Sequence, residues 1–385
     1  MNRFLSMLLL TMSFVGLTFA APTESGSAGE ILRVGPQRAI QTIKEAAKQV
    51  PDGGIIEVDA GEYLGDVVVW FNKNVTLRAV GGRVRLDAAG TSAENKGIWV
   101  VRSGRIEVDG FDFVNAAVPD RNGAGIRLEK GHLVVRDSRF TNNQNGILTS
   151  NDKDAIVEIE NSEFGYNGFG DGQSHNLYVG AIARLSVTGS YFHHANVGHL
   201  LKSRAQENRI FYNRLTDETG GRASYELEFP TGGLAYVVGN IIQQSSTTEN
   251  PNIISYGAEG KKWLVNMLYL INNTLVDNRP RNGVFLKLRP DLGTVIAVNN
   301  LLVGQGTLDS AGPGEYRNNF NADWGEFVFA ARDDYHLQPA SKLRGKGIEP
   351  PTTPETNLRP TKEYVHPHST QDILPKTLNP GAFQR

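Results

Sequence analysis

The sequence predicts an all-β solenoid, in which short strands stack as successive coils around one continuous core. Three observations support this prediction: a strand–bend–strand unit recurs along the chain, asparagines occupy equivalent points of successive units, and glycine is abundant, at 42 of 385 residues. A unit that repeats every ~21–31 residues cannot bury its apolar face alone, so neighbouring units must stack. We expect a solenoid of roughly ten coils.

The repeat is clearest in two segments. "HLVVRDSRFTNNQNGILTSND" begins at His132, and "RLSVTGSYFHHANVGHLLKSR" begins at Arg184. Each contains an alternating strand, a polar bend, a phenylalanine, a polar loop and a second short strand. The bends of later units carry equivalent asparagines at positions 213, 240, 273 and 300. Asparagine tolerates the left-handed backbone of a sharp bend, and stacked asparagines can bond to one another. Chance asparagine-rich hairpins of a sandwich are the less favoured alternative.

Both ends of the chain differ from the repeats. Residues 1–20 are typical of a signal peptide: Arg3 precedes an apolar run, and "TFA" before "AP" favours cleavage near Ala20. A membrane anchor is less favoured because the run is short and contains Ser and Thr. Residues 21–30 read as a flexible spacer and residues 31–348 as the solenoid, capped by a helix within "AIQTIKEAAKQV". Residues 349–385 form a Pro-rich tail that packs on the solenoid or trails from it.

Composition narrows the function classes. The chain has no cysteine, which excludes disulfides, thiolate metal sites and cysteine nucleophiles. A formal net charge of −2 does not point to nucleic acid. The sequence contains no HExxH, GxSxG or phosphate-loop motif, and no segment after the signal peptide is long enough to span a bilayer. We therefore expect a periplasmic or secreted protein, a monomer, without nucleic-acid partners or membrane insertion.

The chain resembles the pectin-lyase-like superfamily of right-handed parallel β-helices. The resemblance rests on the opening "AIQTIKEAAKQVPDGGIIEVDAGEY", the bends "NNTLV" and "NNLLVG", and the closing "DYHLQPASKLRGKG". It covers roughly residues 30–347 and implies a right-handed parallel β-helix. Because that superfamily includes lyases, hydrolases, epimerases and binding proteins, the fold alone does not determine the activity.

Alternation along the last strand of each unit predicts which side chains face solvent. The predicted inward residues include Ile98, Val100, Ile126, Leu128, Ile147, Thr149, Leu177, Val179, His199, Leu201, Leu227, Val284, Leu286 and Leu288. The predicted outward residues are Trp99, Arg127, Glu129, Leu148, Ser150, Asn176, Tyr178, Leu200, Lys202, Arg204, Glu226, Glu228, Phe285, Lys287 and Arg289. Adjacent strands lie ~4.8 Å apart, so the charged residues from 202 to 228 should form a patch the size of one sugar. The alternative is a set of ordinary cross-strand ion pairs.

The predicted patch suits β-elimination on a uronic-acid-containing polysaccharide. This reaction needs a cation or metal at the uronate carboxylate, a base for the C5 proton and an acid near the C4 oxygen. The candidate catalytic residues are Lys202 or His175 as base, Tyr178 (with Tyr225 as the alternative) as proton donor, and Arg204, together with Arg222, as carboxylate ligand. The candidate substrate-binding residues are Asn176, Arg222, Tyr225, Trp99, Lys287 and Arg289. The long loop "GYNGFGDGQSHN" is expected to line the same cleft.

Glu226 and Glu228, together with Asn176, present the oxygen ligands that calcium prefers. β-Helix lyases of the alginate lyase and chondroitinase B type use an Asn and a Glu-x-Glu pair for calcium, with a lysine and an arginine for proton transfer. "YELEF" and "LLKSRA" resemble these elements, although here the cations precede the Glu pair. The resemblance implies calcium as cofactor and an anionic polysaccharide as partner. A glycoside hydrolase using the same two glutamates, a C5 epimerase and a non-catalytic binding protein remain alternatives.

Overall fold

The structure is a computed structural model that describes residues 31–289, 291, 293–308 and 313–385. The predicted signal peptide and spacer lie outside the described residues. None of the helices in the described part of the chain has the length and apolar character needed to cross a membrane.

Ten complete coils of parallel strands form the solenoid in the described residues, and each contributes to three ladders. Partial coils at the two ends add further strands to the first two ladders. The first ladder contains β1 (Ile31–Val34), the first parts of β2 (Ile55–Leu64) and β4 (Lys73–Asp87), β6 (Gly104–Asp109), β9 (His132–Arg136), β12 (Ile156–Glu160), β15 (Arg184–Thr188), β18 (Glu207–Phe211), β21 (Leu234–Val238), β24 (Met267–Ile271), β27 (Thr294–Val298) and β30 (Gly314–Arg317). The second contains the later parts of β2 and β4, β7 (Phe111–Val114), β10 (Arg139–Thr141), β13 (Glu163–Gly165), β16 (Tyr191–His193), β19 (Arg214–Thr216), β22 (Ile241–Gln244), β25 (Thr274–Asp277), β28 (Leu301–Gly304) and β31 (Phe320–Ala322).

The third ladder carries the predicted outward stripe. It contains β3 (Val68–Trp70), β5 (Gly97–Val101), β8 (Ala124–Leu128), β11 (Asn145–Thr149), β14 (Leu177–Val179), β17 (Leu201–Ser203), β20 (Leu227–Phe229), β23 (Asn252–Tyr256), β26 (Val284–Leu288) and β29 (Thr307–Leu308). The predicted all-β solenoid of roughly ten coils is confirmed.

Helix α1 (Ile43–Gln49) covers the N-terminal end of the coils. The Thr42 hydroxyl accepts a hydrogen bond from the Glu45 amide at 3.1 Å, which satisfies one of the free amides of the first turn. The Asp66 carboxylate accepts from the Ile43 amide at 2.5 Å and ties the helix to the first complete coil. Ile43 and Ala46 are buried against the core.

The core is built from equivalent residues of successive coils. Phe140 pairs in register with Phe164, which in turn pairs with Phe192. Their rings stack nearly parallel with centroids 4.7 Å apart, because parallel pairing repeats each position at the strand spacing. The predicted equivalence of Phe140 and Phe192 is correct, with one further coil between them.

An asparagine ladder runs along one corner, as the repeat predicts. The side-chain amide of each asparagine donates to the side-chain oxygen of the next, from Asn213 through Asn240, Asn273 and Asn300 to Asn319, at 2.8–3.1 Å. The left-handed residues, however, stand one position earlier, at Tyr212, Gly239, Asn272 and Asn299. The ladder asparagines are therefore selected for hydrogen bonding, while the preceding residue makes the sharp bend.

We expect Asn240→Ala to destabilise the fold by about 2–5 kcal/mol, because burial leaves several polar partners unsatisfied. The side chain of Asn240 accepts from the backbone amide of Asn213 at 2.8 Å and donates to the Ile210 carbonyl at 2.8 Å, and the residue is fully buried. Urea denaturation measures the change. The exposed Asn321→Ala serves as control and should shift stability by less than about 0.5 kcal/mol. Equal effects of the two substitutions would contradict the structural role of the ladder.

The C-terminal residues cover two outer faces of the solenoid. After β31 come short 3₁₀ turns at 324–326 and 330–332, the hairpin β32 (Phe327–Phe329) and β33 (Asp334–Leu337), and the hairpin β34 (Lys362–Val365) and β35 (Ser369–Asp372). Leu358 packs on the outside of the first ladder, and Tyr364 and Phe383 pack on the outside of the second. The third ladder keeps its outer face free of this segment's apolar clusters.

Candidate functional site

A row of inward residues interrupts the alternation where each third-ladder strand begins. In the parallel register Asn145 pairs with Ala124, and the next pair is Ile147 with Ile126. Gly125 and Gly146, which lie between these pairs, have no register partner. The equivalent residues of other coils, here called the corner row, are Ile98, Gly125, Gly146, Asn176, Leu200, Glu226, Ile253 and Phe285. These residues face inward together with the residue that follows them. Strict alternation is therefore wrong at this row.

The corner row overturns several outward assignments. Leu200 and Phe285 are fully buried in the core rather than exposed. Trp99 pairs with Ile126, which places its ring inside, 0% exposed and 4.9 Å from the Phe113 ring centroid. Val100, predicted inward, pairs instead with the outward Arg127. Trp99 cannot stack on a sugar at the surface, and its predicted substrate-binding role is wrong.

The structure brings Tyr178, Lys202 and Arg204 together on the outer face of β14 and β17. Tyr178 and Lys202 are direct partners in the parallel register. One guanidinium nitrogen of Arg204 (Nη1) donates to the Tyr178 hydroxyl at 2.6 Å, and the guanidinium carbon lies 5.2 Å from the ring centroid. The predicted outward direction of all three residues is correct.

A chain of charged groups continues from this cluster. Lys202 Nζ lies 3.0 Å from Glu228 Oε2, which also lies 2.9 Å from His199 Nε2. Burial by itself would raise the pKa of Glu228, but contacts with His199 and Lys202 outweigh it and hold the pKa below its usual value. Burial lowers the pKa of His199 despite the neighbouring carboxylate, so the ring that faces Glu228 is neutral at neutral pH. His199 thus belongs to the outer cluster, which corrects its predicted position in the core.

His175 lies at the same site but cannot be the base. Its Nδ1 accepts a hydrogen bond from the backbone amide of His199 at 3.0 Å. In the neutral ring the remaining Nε2 carries the proton, so no free lone pair is left. Burial lowers the pKa of His175 well below its usual value, and His199, Lys202 and Arg204 act in the same direction. His175 is therefore a neutral imidazole that positions the neighbouring strand, and its predicted role as catalytic base is wrong.

Glu226 is not part of the outer site. Its side chain is fully buried in the corner row, and neither carboxylate oxygen has a hydrogen-bond partner among the described residues. Burial raises its pKa well above the usual value, and Asp217 and Asp277 add to this effect. The predicted pair of Glu226 and Glu228 therefore faces opposite sides of the sheet. This arrangement rules out the pair as the two carboxyls of a glycoside hydrolase.

The predicted calcium ligands do not converge. Asn176 is fully buried, and its side-chain oxygen accepts from Asn167 Nδ2 at 2.9 Å within an asparagine ladder. Glu226 faces the core, and Glu228 is engaged by Lys202 and His199. Among the residues that the structure describes, no group of three or more His, Asp or Glu side chains is arranged to hold a metal ion. The donor set for calcium at this place does not fit, and the predicted substrate-binding role of Asn176 is also wrong.

A cavity of about 520 Å³ adjoins the cluster on the N-terminal side of Tyr178. Arg121, Arg127 and Ser150 line it together with residues of the long loop at 166–175. Arg127 donates to the Ser150 hydroxyl at 3.1 Å, and Arg121 stacks 4.6 Å from the exposed Phe169 ring. The long loop lines a cleft, as its length predicts.

The remaining predicted residues are spread along the solenoid. The Tyr225 ring packs 5.0 Å from the His199 ring and joins the cluster. Arg222 is exposed on the loop before β20, where it lines two other cavities. Lys287 is exposed and points outward three strands beyond Lys202, and Arg289 pairs with Asp291 at 3.0 Å. Arg222 and Lys287 therefore lie apart from the cluster, whereas the Arg289 guanidinium lies against Gly260 in the loop after β23.

Two site residues escaped the sequence prediction. Glu259 places its carboxylate oxygens 2.6 and 2.7 Å from Arg204 Nη2 and 3.6 Å from Lys202 Nζ. Trp263 donates from its indole nitrogen to the Arg204 carbonyl at 3.1 Å. Both lie on the loop after β23, and no local motif marks them.

Comparisons with known proteins agree with this architecture. Residues 30–220 match the family model described as "Periplasmic copper-binding protein (NosD)". Among solved structures, one described as "Crystal structure of pectate lyase Pel9A" is similar, with a TM-score of 0.61 and 13% sequence identity over 93% of this chain and 97% of that chain. No curated protein matched the chain by sequence. The periplasmic family description agrees with the predicted periplasmic or secreted location. The chain therefore has a right-handed parallel β-helix fold, similar to that of the pectate lyase.

Proposed function

We propose that the protein is a polysaccharide lyase that cleaves a uronic-acid-containing polysaccharide by β-elimination, in the periplasm or outside the cell. The observation that carries this proposal is the cluster of Tyr178, Lys202 and Arg204 on the outer face of the third ladder, beside an open cleft. The fold shared with a pectate lyase and the periplasmic family description support it.

The first requirement of the reaction is neutralisation of the uronate carboxylate. Arg204 presents one guanidinium nitrogen to both carboxylate oxygens of Glu259, which shows that a carboxylate fits at this position. Lys202 Nζ lies 3.6 Å from the same carboxylate and becomes a second cation there when it takes the C5 proton. The negative charge of a uronate carboxylate placed here is neutralised by these cations. This neutralisation stabilises the carbanion-like transition state of C5 deprotonation.

The second requirement is a base and an acid on either side of the scissile bond. Once its own proton has passed to solvent, Lys202 takes the C5 proton, and the Glu228 carboxylate, 3.0 Å away, pairs with the ammonium group that this step forms. Tyr178 donates its hydroxyl proton to the departing C4 oxygen. The phenolate that remains is stabilised by the Arg204 hydrogen bond of 2.6 Å. The C4–O bond breaks, a C4–C5 double bond forms, and no metal is needed for any of these steps.

We expect incubation with alginate, polygalacturonate or hyaluronan to produce the ultraviolet absorbance of an unsaturated uronate for at least one polymer. Because Arg204 and Lys202 supply the charge that calcium would otherwise supply, EDTA should leave the rate within about twofold. New reducing ends without the absorbance of an unsaturated uronate would contradict the lyase proposal and indicate a glycoside hydrolase. Polymer binding without either signal would indicate a non-catalytic binding protein, and loss of activity in EDTA that calcium restores would contradict the metal-free mechanism. Proton exchange at C5 without cleavage would indicate an epimerase.

A further inference from the structure

Glu259 is bound to both cations of the cluster by its own carboxylate. Its side chain remains 47% exposed, whereas the side chains of Arg204 and Lys202 are 17% and 14% exposed. The carboxylate thus lies on the solvent side of the two cations. This is the side from which a polysaccharide laid along the cleft would approach.

The backbone beneath Glu259 is fixed. The Glu259 amide donates to the Pro230 carbonyl at 2.8 Å, and the Lys262 amide donates to the Thr231 carbonyl at 3.1 Å. The Trp263 indole donates to the Arg204 carbonyl and anchors the far end of the loop. The loop therefore stays in place, and a change at this site requires only rotation of the Glu259 side chain.

The charges of the cluster are balanced only while Glu259 is in place. Lys202 and Arg204 provide two positive charges, and Glu228 and Glu259 provide two negative charges. His199 adds no charge at neutral pH, because burial lowers its pKa. A ligand carboxylate that takes the place of Glu259 preserves this balance, whereas a neutral sugar leaves the ion pairs intact and gains no contact with either cation.

We propose that Glu259 is a built-in occupant of a carboxylate-binding subsite formed by Arg204 and Lys202, and that a uronate carboxylate displaces it. This inference rests on the proposed function and refines it. Glu259 selects for acidic sugars because only a carboxylate competes for the two cations. It also weakens binding, since the ligand must displace an internal carboxylate held at high effective concentration.

The test compares Glu259→Gln with the wild-type protein. The probes are trisaccharides prepared from alginate, polygalacturonate and hyaluronan, and the methyl ester of the galacturonate trisaccharide, with dissociation constants measured by calorimetry at low and high salt. Glutamine has the same shape without the charge, so E259Q should bind the acidic trisaccharide about tenfold more tightly, equivalent to about 1.4 kcal/mol. Its affinity for the neutral ester should not change.

Glu249→Gln is the matched control, because Glu249 is exposed, lines a different cavity and changes the net charge equally. An equal gain in affinity for the acidic trisaccharide in E249Q and E259Q would show that the gain comes from the change in net charge, and it would overturn the proposal. Unchanged or weaker binding by E259Q, or no binding of any acidic trisaccharide by either protein, would overturn it as well. Thermal unfolding confirms that E259Q is folded.

The outcomes separate this inference from the proposed function. If the wild-type protein cleaves a polyuronate but E259Q binds no more tightly, the lyase proposal stands and the displaceable carboxylate does not. If E259Q binds more tightly and neither protein produces an unsaturated product, the carboxylate subsite stands and the lyase chemistry does not.

Discussion

Replacing Lys202 with alanine is expected to lower the turnover of polyuronate by about 10²–10⁴-fold, the usual contribution of a positioned general base. Lys202 is the direct register partner of Tyr178, and the substitution removes its amine without touching the core, since Lys202 points outward from β17. Turnover is measured as the initial rate of unsaturated product formation at saturating polymer. Binding of the acidic trisaccharide is measured separately, so that lost affinity is not mistaken for lost chemistry.

Lys202→Arg distinguishes the two roles of this side chain. Arginine keeps the positive charge and the ion pairing but does not release a proton at accessible pH. We expect K202R to bind the acidic trisaccharide within a few fold of the wild-type protein and to lose turnover as K202A does. Retained turnover in K202R would make Lys202 a positioning cation and remove it as the base. Lys376→Ala, at an exposed position of the C-terminal segment, is the control and should keep full activity.

The number of coils and the outward direction of Lys202 and Arg204 were predictable from the sequence, because parallel stacking places the same type of residue at the same position of successive coils. Phe140 aligns with Phe192, and Asn240 with Asn273, since each residue pairs with its equivalent one or two coils away. The same logic located Lys202 on the outer face. Sequence periodicity is therefore sufficient to predict which side chains face the core wherever the strand is regular.

The corner row escaped prediction because it breaks the two-residue period. Adjacent apolar pairs such as Ile253–Ile254 are both buried, which regular alternation does not allow. These pairs were the available signal, and they would have placed Glu226 next to Leu227 on the inside. For Glu259 no such signal existed, because its contact with Arg204 spans 55 residues and depends on the path of an irregular loop.

The buried carboxyls near this row should make the protein less stable as pH rises. Asp217 is fully buried, and its Oδ2 accepts from the Ala223 amide at 2.7 Å. Within the part of the chain that the structure describes, its Oδ1 has no hydrogen-bond partner. Burial raises its pKa to about 8, and Glu218 adds to the effect. Glu226 and Asp277 have pKa values raised by burial too.

The sign follows from proton binding. Asp217 ionises near its ordinary pKa when the chain is unfolded and near pH 8 when it is folded, so the folded state holds the extra proton between these values. Stability contributed by the neutral carboxyl is complete below the unfolded pKa and is lost as pH rises towards 8. The loss for one carboxyl is about 1.4 kcal/mol per pH unit within this window. His175 and His199, whose pKa values are lowered, act with opposite sign only below about pH 6.5.

Asp217→Asn is expected to flatten the fall in unfolding free energy between pH 7 and about pH 8, because the amide oxygen can still accept from Ala223 and carries no charge. Urea denaturation at half-unit intervals up to pH 9 measures the slope for wild type, D217N and the double variant with Glu226→Gln. The double variant should be flatter still, because Glu226 contributes with the same sign. Asp372→Asn, an exposed carboxyl in β35, is the control and should keep the wild-type slope. If D217N lost stability with pH as steeply as the wild type, Asp217 would already be ionised in the fold, and the unpaired Oδ1 would need a partner other than a proton.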